Sequence, residues 1–228
     1  AYTQLRAHNP SPFGAFIRLD KATSLLCFSP ERLARWSWGG IIETAPIKGT
    51  RPRKKTEALD RSQREDLLKS EKDRAEHLMI VDLERNDLGR ICRTGTVRVR
   101  ELCALKTYPS VHHLVTTIEG QLKPEVRLAE LLSAIFPGGS ITGAPKVRAL
   151  QLIRRLEGRA REVYCGALGY FDPAGRADLN IPIRTAWLSN DRLTYAAGGG
   201  VVADSSPEEE WAELWVKTRA LERGLGLS

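Results

Sequence analysis

Strand-like runs in this chain come in adjacent groups, not singly between helices, and that grouping constrains the fold more than any other feature. Residues 14–19 and 24–28 are alternating apolar stretches on either side of Asp20-Lys21-Ala22-Thr23, whose short polar residues suit a tight turn, so a β-hairpin is expected there. Further strand-like segments fall at 96–102, 113–118, 164–171, 178–188 and 192–197. Residues 62–88 carry Leu67, Leu68, Ala75, Leu78, Met79 and Leu83 at helical spacing, which predicts one long helix stopped by Gly89. Shorter helices are predicted at 127–135, at 144–156 with Pro145 in the first turn, and at 207–221. Strands grouped this way give an α+β fold with antiparallel sheets and exclude the regular βαβ alternation of Rossmann or TIM architectures. No repeat, low-complexity tract or linker interrupts the chain, so one domain over residues 1–228 is expected.

Composition narrows the function classes. With 42% hydrophobic and 28% charged residues over 228 positions, the chain buries a sizeable core. It has no apolar run of about 18 residues, and residues 1–9 lack a basic-then-apolar leader, so a soluble cytoplasmic protein with no membrane partner is expected. Cys27, Cys92, Cys103 and Cys165 form no Cys-x-x-Cys pair and are expected as buried thiols. The formal charge of +7 raises the question of nucleic acid. The basic runs Arg51, Arg53, Lys54, Lys55 and Arg154, Arg155, Arg159, Arg161 come without a zinc-finger, RRM or KH signature, which favours solvated faces or a small anionic substrate.

Four local patterns have the chemistry for a site. Asp73 and Glu76 share one helix face, as do Glu210 and Glu213 on another helix. Such pairs are either solvated charge or, brought together, oxygen ligands whose repulsion a hard cation such as Mg²⁺ relieves. Gly198-Gly199-Gly200 and the loop from Pro137 to Lys146 free backbone N–H groups for an anion, and both also read as ordinary loops. Lys48, in Pro46-Ile47-Lys48-Gly49-Thr50-Arg51, is either a nucleophilic amine or a surface cation, and spacing does not choose between them. His112 and His113 beside a strand suit structural hydrogen bonds or proton transfer near neutral pH.

Taken together, Ser29-Pro30-Glu31-Arg32, the Lys48 segment, Asp73 to Asp87, the Ser140 loop, Tyr164-Cys165-Gly166-Ala167, Ile183-Arg184-Thr185-Ala186 and Gly198 to Ser205 resemble, in order, the chorismate-utilising family of anthranilate, aminodeoxychorismate, isochorismate and salicylate synthases. The resemblance implies an anthranilate-synthase-like sandwich of two antiparallel β-sheets flanked by helices. It also implies that an N-terminal part of the full domain is missing, because family members have a longer N-terminal region. By the same resemblance Glu76 and Glu213, supported by Asp73 and Glu210, hold Mg²⁺, which anchors the ring carboxylate of chorismate. Arg184, Tyr164 and the backbone at Gly199 and Gly200 take the enolpyruvyl carboxylate, a guanidinium fork being suited to that group. Lys217 matches a lysine near the ring carboxylate, while Thr50, His113 and Ser140 match residues lining the ring. Glu31 matches the general acid that protonates the leaving C4 hydroxyl, a role that burial favours by keeping the carboxyl protonated. Lys48 stands where aminodeoxychorismate synthases have Pro-Ile-Lys-Gly-Thr and anthranilate synthases have alanine. The resemblance therefore implies a lysine nucleophile and 4-amino-4-deoxychorismate as product, with ammonia from a separate glutamine amidotransferase subunit. Another chorismate enzyme, or a fragment that binds an anion or partner without turnover, is the alternative.

Overall fold

The structure is a computed structural model and describes residues 2–8, 10–109, 111–203 and 205–226. The chain divides into two compact units. A terminal unit is built from both chain ends (Ala1–Glu31 and Ile181–Ser228) together with Glu162–Gly166, and a central unit comprises Arg32–Arg161 and Ala167–Asn180. Each unit holds one of the two expected antiparallel sheets.

In the terminal unit, β1 (Phe13–Arg18) and β2 (Thr23–Ser29) form the expected hairpin. Asp20 closes its turn by accepting N–H bonds from Ala22 and Thr23, each at 2.7 Å, so its carboxyl sits below its ordinary value. β10 (Thr185–Ser189) pairs with β2, and β11 (Arg192–Ala196) with β10. Helix α1 (Tyr2–His8) packs against α6 (Pro207–Leu225), and the core gathers Leu5, Leu26, Phe28 and Ala186 with Tyr2, Leu193, Tyr195 and Leu221. Burial of each large side chain there contributes about 1.5–3 kcal/mol. Gly224 permits the helix contact: a Cβ on it would lie 2.7 Å from Leu5 Cδ2.

In the central unit, β7 (Val111–Gln121) organises a seven-stranded sheet. One edge of β7 pairs with β6 (Arg98–Thr107), and the other with β4 (Ile41–Ala45) and β5 (Ile47–Pro52) in series around Pro46. The sheet continues through β3 (Arg32–Ser37), β9 (Arg176–Asn180) and β8 (Leu168–Phe171). Helices α2 (Glu57–Lys69) and α3 (Glu71–Ile91) pack against β5 and β7, and α4 (Leu128–Ile135) against α3. A one-turn 3-10 helix (Gly139–Ile141) and α5 (Lys146–Glu157) follow, with Pro145 capping α5 instead of lying inside it.

Three sequence expectations need correction. The single helix over 62–88 is two helices, broken where Ser70 turns extended and caps α3 by accepting from Asp73 N at 3.2 Å. Serine is a strong N-cap, and Glu71 and Asp73 in the first turn suit the helix dipole. Nor does Gly89 stop the helix: buried Leu88 and Ile91 on either side of it outweigh the roughly 1 kcal/mol that a helical glycine costs. The strand expected over 178–188 is β9 and β10 in different sheets, divided at Ile181-Pro182-Ile183-Arg184, where proline lacks an N–H and Arg184 takes φ +50°. The strand expected over 164–171 begins only at Leu168, because Cys165 at φ +64° and a Gly166 N–H to Val163 O bond of 3.0 Å make a turn first. All four cysteines are buried thiols outside any disulfide, with Cys92 pushed up to about 11 by desolvation. Among the described residues no helix is long and apolar enough to cross a membrane.

Candidate functional site

In the central unit the site residues gather around an irregularity in β5. The pairing with β7 shifts register between Lys48 and Thr50, and Gly49 between them has φ +77°, a bulge that re-aims its neighbours. A Cβ there would lie 2.8 Å from Leu67 Cδ1 and 3.1 Å from Asp73 Cγ, so β5 runs directly against α2 and α3. Lys48 Nζ reaches Glu76 Oε2 on α3 at 2.5 Å, and that glutamate is only 9% exposed. Arg51, two residues past the bulge, grips Asp66 at 2.5 Å and Asp73 at 3.2 Å. His113 Nδ1 lies 3.0 Å from Thr50 Oγ1 and 3.2 Å from the Gly49 carbonyl; since a carbonyl only accepts, Nδ1 carries the proton in that contact.

Ser140 sits in the 3-10 turn packed on α3 at Leu83 and Glu84, and its buried Oγ has no hydrogen-bond partner among the described residues. The glycine-rich loop containing it is tied to α3 by Lys146, whose Nζ bonds Asp87 Oδ2 at 2.5 Å and Pro137 O at 2.9 Å. His112 is structural: fully buried, it bonds Asp60 at 3.0 Å and Thr107 at 2.9 Å.

In the terminal unit Glu31 follows β2 and is 4% exposed. Ser29 Oγ fixes its backbone by accepting from Glu31 N at 3.2 Å and donating to Ile181 O at 2.6 Å. Arg184 is held in the left-handed region beside β10. Burial pulls its guanidinium down from its ordinary value, against support from Tyr195 and Glu31, so an anion there meets a poorly hydrated cation. Desolvation pushes the Tyr195 phenol up to about 12.

The glycine triplet meets α6 in the same unit. Lys217 Nζ donates to Gly198 O at 3.0 Å and pairs with Glu213 at 2.6 Å, while Ser205 Oγ donates to Glu210 at 2.6 Å. Any side chain on Gly198 would strike the Tyr164 hydroxyl, 2.7 Å from its Cβ position, and a Cβ on Gly199 would lie 3.0 Å from Glu210 Oε2. Tyr164, Gly198, Gly199, Glu210, Glu213 and Lys217 thus form one cluster, with Gly200 exposed beside it. Asp204, within the glycine-rich block that carries the resemblance, lies outside the described residues.

The acids fit a hard cation by donor type. Asp73 and Glu76 lie one helical turn apart on α3, and Glu210 and Glu213 likewise on α6; two carboxylates plus water are a usual Mg²⁺ complement. Among the described residues no three His, Cys, Asp or Glu side chains converge as a ready ligand set, and each acid has a partner of its own: Arg51, Lys48, Ser205 and Lys217 respectively.

Sequence reasoning missed His77 and Tyr195. His77 is fully buried, bonds Thr116 Oγ1 at 2.5 Å and is lowered to about 4 by desolvation, then by Lys48, with Asp73 opposing, so it stays neutral at pH 7. Helical spacing puts it one turn from Asp73, but nothing in the sequence marks Thr116 as its partner.

A family model described as chorismate binding enzyme matches residues 1–223. Aminodeoxychorismate synthase component 1 of Salmonella typhimurium is 47% identical over 221 residues, covering 97% of this chain and 48% of that protein. Anthranilate synthase component 1 of Aquifex aeolicus is 44% identical over 227 residues, covering 100% and 46%. The crystal structure of anthranilate synthase component I from Streptococcus pneumoniae superposes with a TM-score of 0.84 at 38% identity, covering 96% of this chain and 48% of that one. The chain therefore spans about half the length of the curated relatives it matches. With a family match across nearly its whole length, the chain belongs to the chorismate binding enzymes.

Proposed function

We propose that this protein is the chorismate-aminating component of an aminodeoxychorismate synthase, forming 4-amino-4-deoxychorismate on the route to p-aminobenzoate and folate. The observation that carries this reading is Lys48: an amine in Pro46-Ile47-Lys48-Gly49-Thr50, turned toward Glu76 by the bulge at Gly49. The 47% identity to aminodeoxychorismate synthase component 1 supports it. In this reading residues 1–228 act as one chorismate-binding catalytic domain in the cytoplasm, with ammonia delivered by a glutamine amidotransferase subunit and no nucleic-acid or membrane partner.

Arg184 and Tyr164, with the backbone N–H groups of Gly199 and Gly200, bind the enolpyruvyl carboxylate. Lys217 lies toward the ring carboxylate, and Thr50, His113 and Ser140 line the ring. Glu76 and Glu213, with Asp73 and Glu210 in support, are the residues that would hold Mg²⁺, whose charge would anchor that ring carboxylate. Once the Lys48 ammonium has passed a proton to water, the neutral amine bonds to C2, both ring double bonds shift and the C4–O bond breaks, while Glu31 gives its proton to the departing hydroxyl, which leaves as water. Ammonia then bonds at C4, both double bonds shift back, the C2–N bond to Lys48 breaks to restore the neutral amine, and a proton of the new C4 ammonium returns to the Glu31 carboxylate.

The test is product analysis by chromatography on the intact protein with chorismate, Mg²⁺ and ammonium. Glu31→Gln is expected to lower kcat by about 10²–10⁴-fold, the usual worth of a positioned proton donor. Lys48→Ala should lower 4-amino product while leaving chorismate affinity largely intact, and withholding ammonia should leave a chorismate-derived mass adduct on Lys48. Full activity in Lys48→Ala, with no adduct in the parent, would remove the nucleophile. The 44% identity to an anthranilate synthase supports a second reading, for which the same chromatogram would show anthranilate instead.

A further inference from the structure

We propose that Mg²⁺ and the Lys48 ammonium compete for Glu76, so that metal binding detaches Lys48 from its ion pair. The inference rests on Glu76 being a magnesium ligand, and the pair itself is what suggests rivalry. Lys48 Nζ lies 2.5 Å from Glu76 Oε2, so a cation bound to that oxygen would sit in close contact with the ammonium and be repelled by it. One turn earlier on α3, Asp73 is already held by Arg51. With Asp66, which also holds Arg51, the linked set has three acids and two bases, so a divalent cation added without displacement would turn one net negative charge into one net positive charge and place the cation directly beside the Lys48 ammonium.

The groups differ in how easily they yield. Arg51 is forked between Asp66 and Asp73, so even when Asp73 lets go a second carboxylate keeps the guanidinium in place. Among the described residues Lys48 has one ion pair, with Glu76, and a flexible four-carbon stem on a side chain 24% exposed, so it can swing to water at little cost. The strand itself cannot retreat, because Gly49 is pressed against Leu67 and Asp73. Exchange at Glu76 is therefore a side-chain movement with a fixed backbone. Its functional consequence is order: without metal the amine is tied to α3, and with metal it is available to substrate.

Calorimetry of Mg²⁺ binding to the intact protein tests this with no reliance on turnover. Lys48→Met keeps the apolar stem but removes the rival charge, and is expected to bind Mg²⁺ about fivefold more tightly, the effect that a competing ion pair of modest strength exerts. Unchanged or weaker affinity in folded Lys48→Met would overturn the competition. A second measurement needs no variant: brief acylation with acetic anhydride at fixed pH, read by mass spectrometry, should label Lys48 several times faster with Mg²⁺ than without, while exposed Lys21 labels equally in both. Equal Lys48 labelling would likewise overturn it. Parental Mg²⁺ affinity in Glu76→Gln, or no binding in the parent, would instead remove Glu76 as a ligand, a failure of the metal reading that is separate from the competition.

Discussion

Asp60 is almost wholly buried where α2 packs on β5 and β7, and three donors converge on its Oδ1: Lys54 N at 2.9 Å, Arg53 Nε at 2.9 Å and His112 Nε2 at 3.0 Å. The Lys54 amide does most to hold the carboxyl far below its ordinary range; burial works against it, and His112 and Arg53 add to the depression. A carboxylate whose folded pKa is depressed stabilises the fold above its unfolded value, near pH 4, and loses that contribution as pH falls through the folded value. The parent's melting temperature should therefore fall more steeply between about pH 4 and 2 than that of Asp60→Asn, which should be the less stable protein at pH 7. Parallel pH profiles would mean the carboxylate charge is not what anchors α2. The residue scale is also where the sequence was least complete. Lys48 and Glu76 were both legible as chemistry-bearing side chains, but their contact joins a strand to a helix 28 positions later, and no local spacing encodes it. His77 and Tyr195 went unread for the same reason, since burial and a long-range partner define their roles.

At the scale of elements, the bulge in β5 sets the direction of Lys48 and is guarded by a residue without a side chain. Gly49→Ala must place a Cβ on a backbone at φ +77° and 2.8 Å from Leu67 Cδ1, which is expected to cost about 1–3 kcal/mol in urea denaturation. A loss below about 0.5 kcal/mol would show that β5 can relax away from the helices. The hairpin of β1 and β2, the helices α4 and α6, and the two-sheet α+β class were readable because each carries its own periodicity or turn chemistry. Breaks inside continuous apolar runs were not readable. Both α2 and α3 bury apolar positions against the same sheet, so the helical pattern runs through Ser70 unbroken. Residues 178–188 stay largely apolar across Pro182 because each half is buried, though in a different sheet. Strands β3, β4 and β5 are short and punctuated by Gly39, Gly40, Pro46 and Gly49, which hid them among loops.

On the scale of the whole molecule, chain order and spatial order disagree. The central unit draws on residues 32–161 and 167–180 alone, so a chain ending at Asn180 contains all of it. Hydrogen exchange on that shortened chain should show α3 and β7 amides still protected, while those of β1 and β2 exchange freely, because a two-stranded hairpin is marginal by itself. Loss of protection in both would show that the central unit needs its covalent neighbour. The terminal unit has a different history during synthesis. Its β2, carrying the buried run Leu25-Leu26-Cys27-Phe28, emerges well before the strand that covers its open edge, β10, which starts only at Thr185. At ordinary elongation rates that delay is roughly 10–30 s. Throughout that interval the nascent protein displays an apolar strand with an unpaired edge, the kind of surface that chaperones shield and that recruits neighbouring chains on a crowded ribosome.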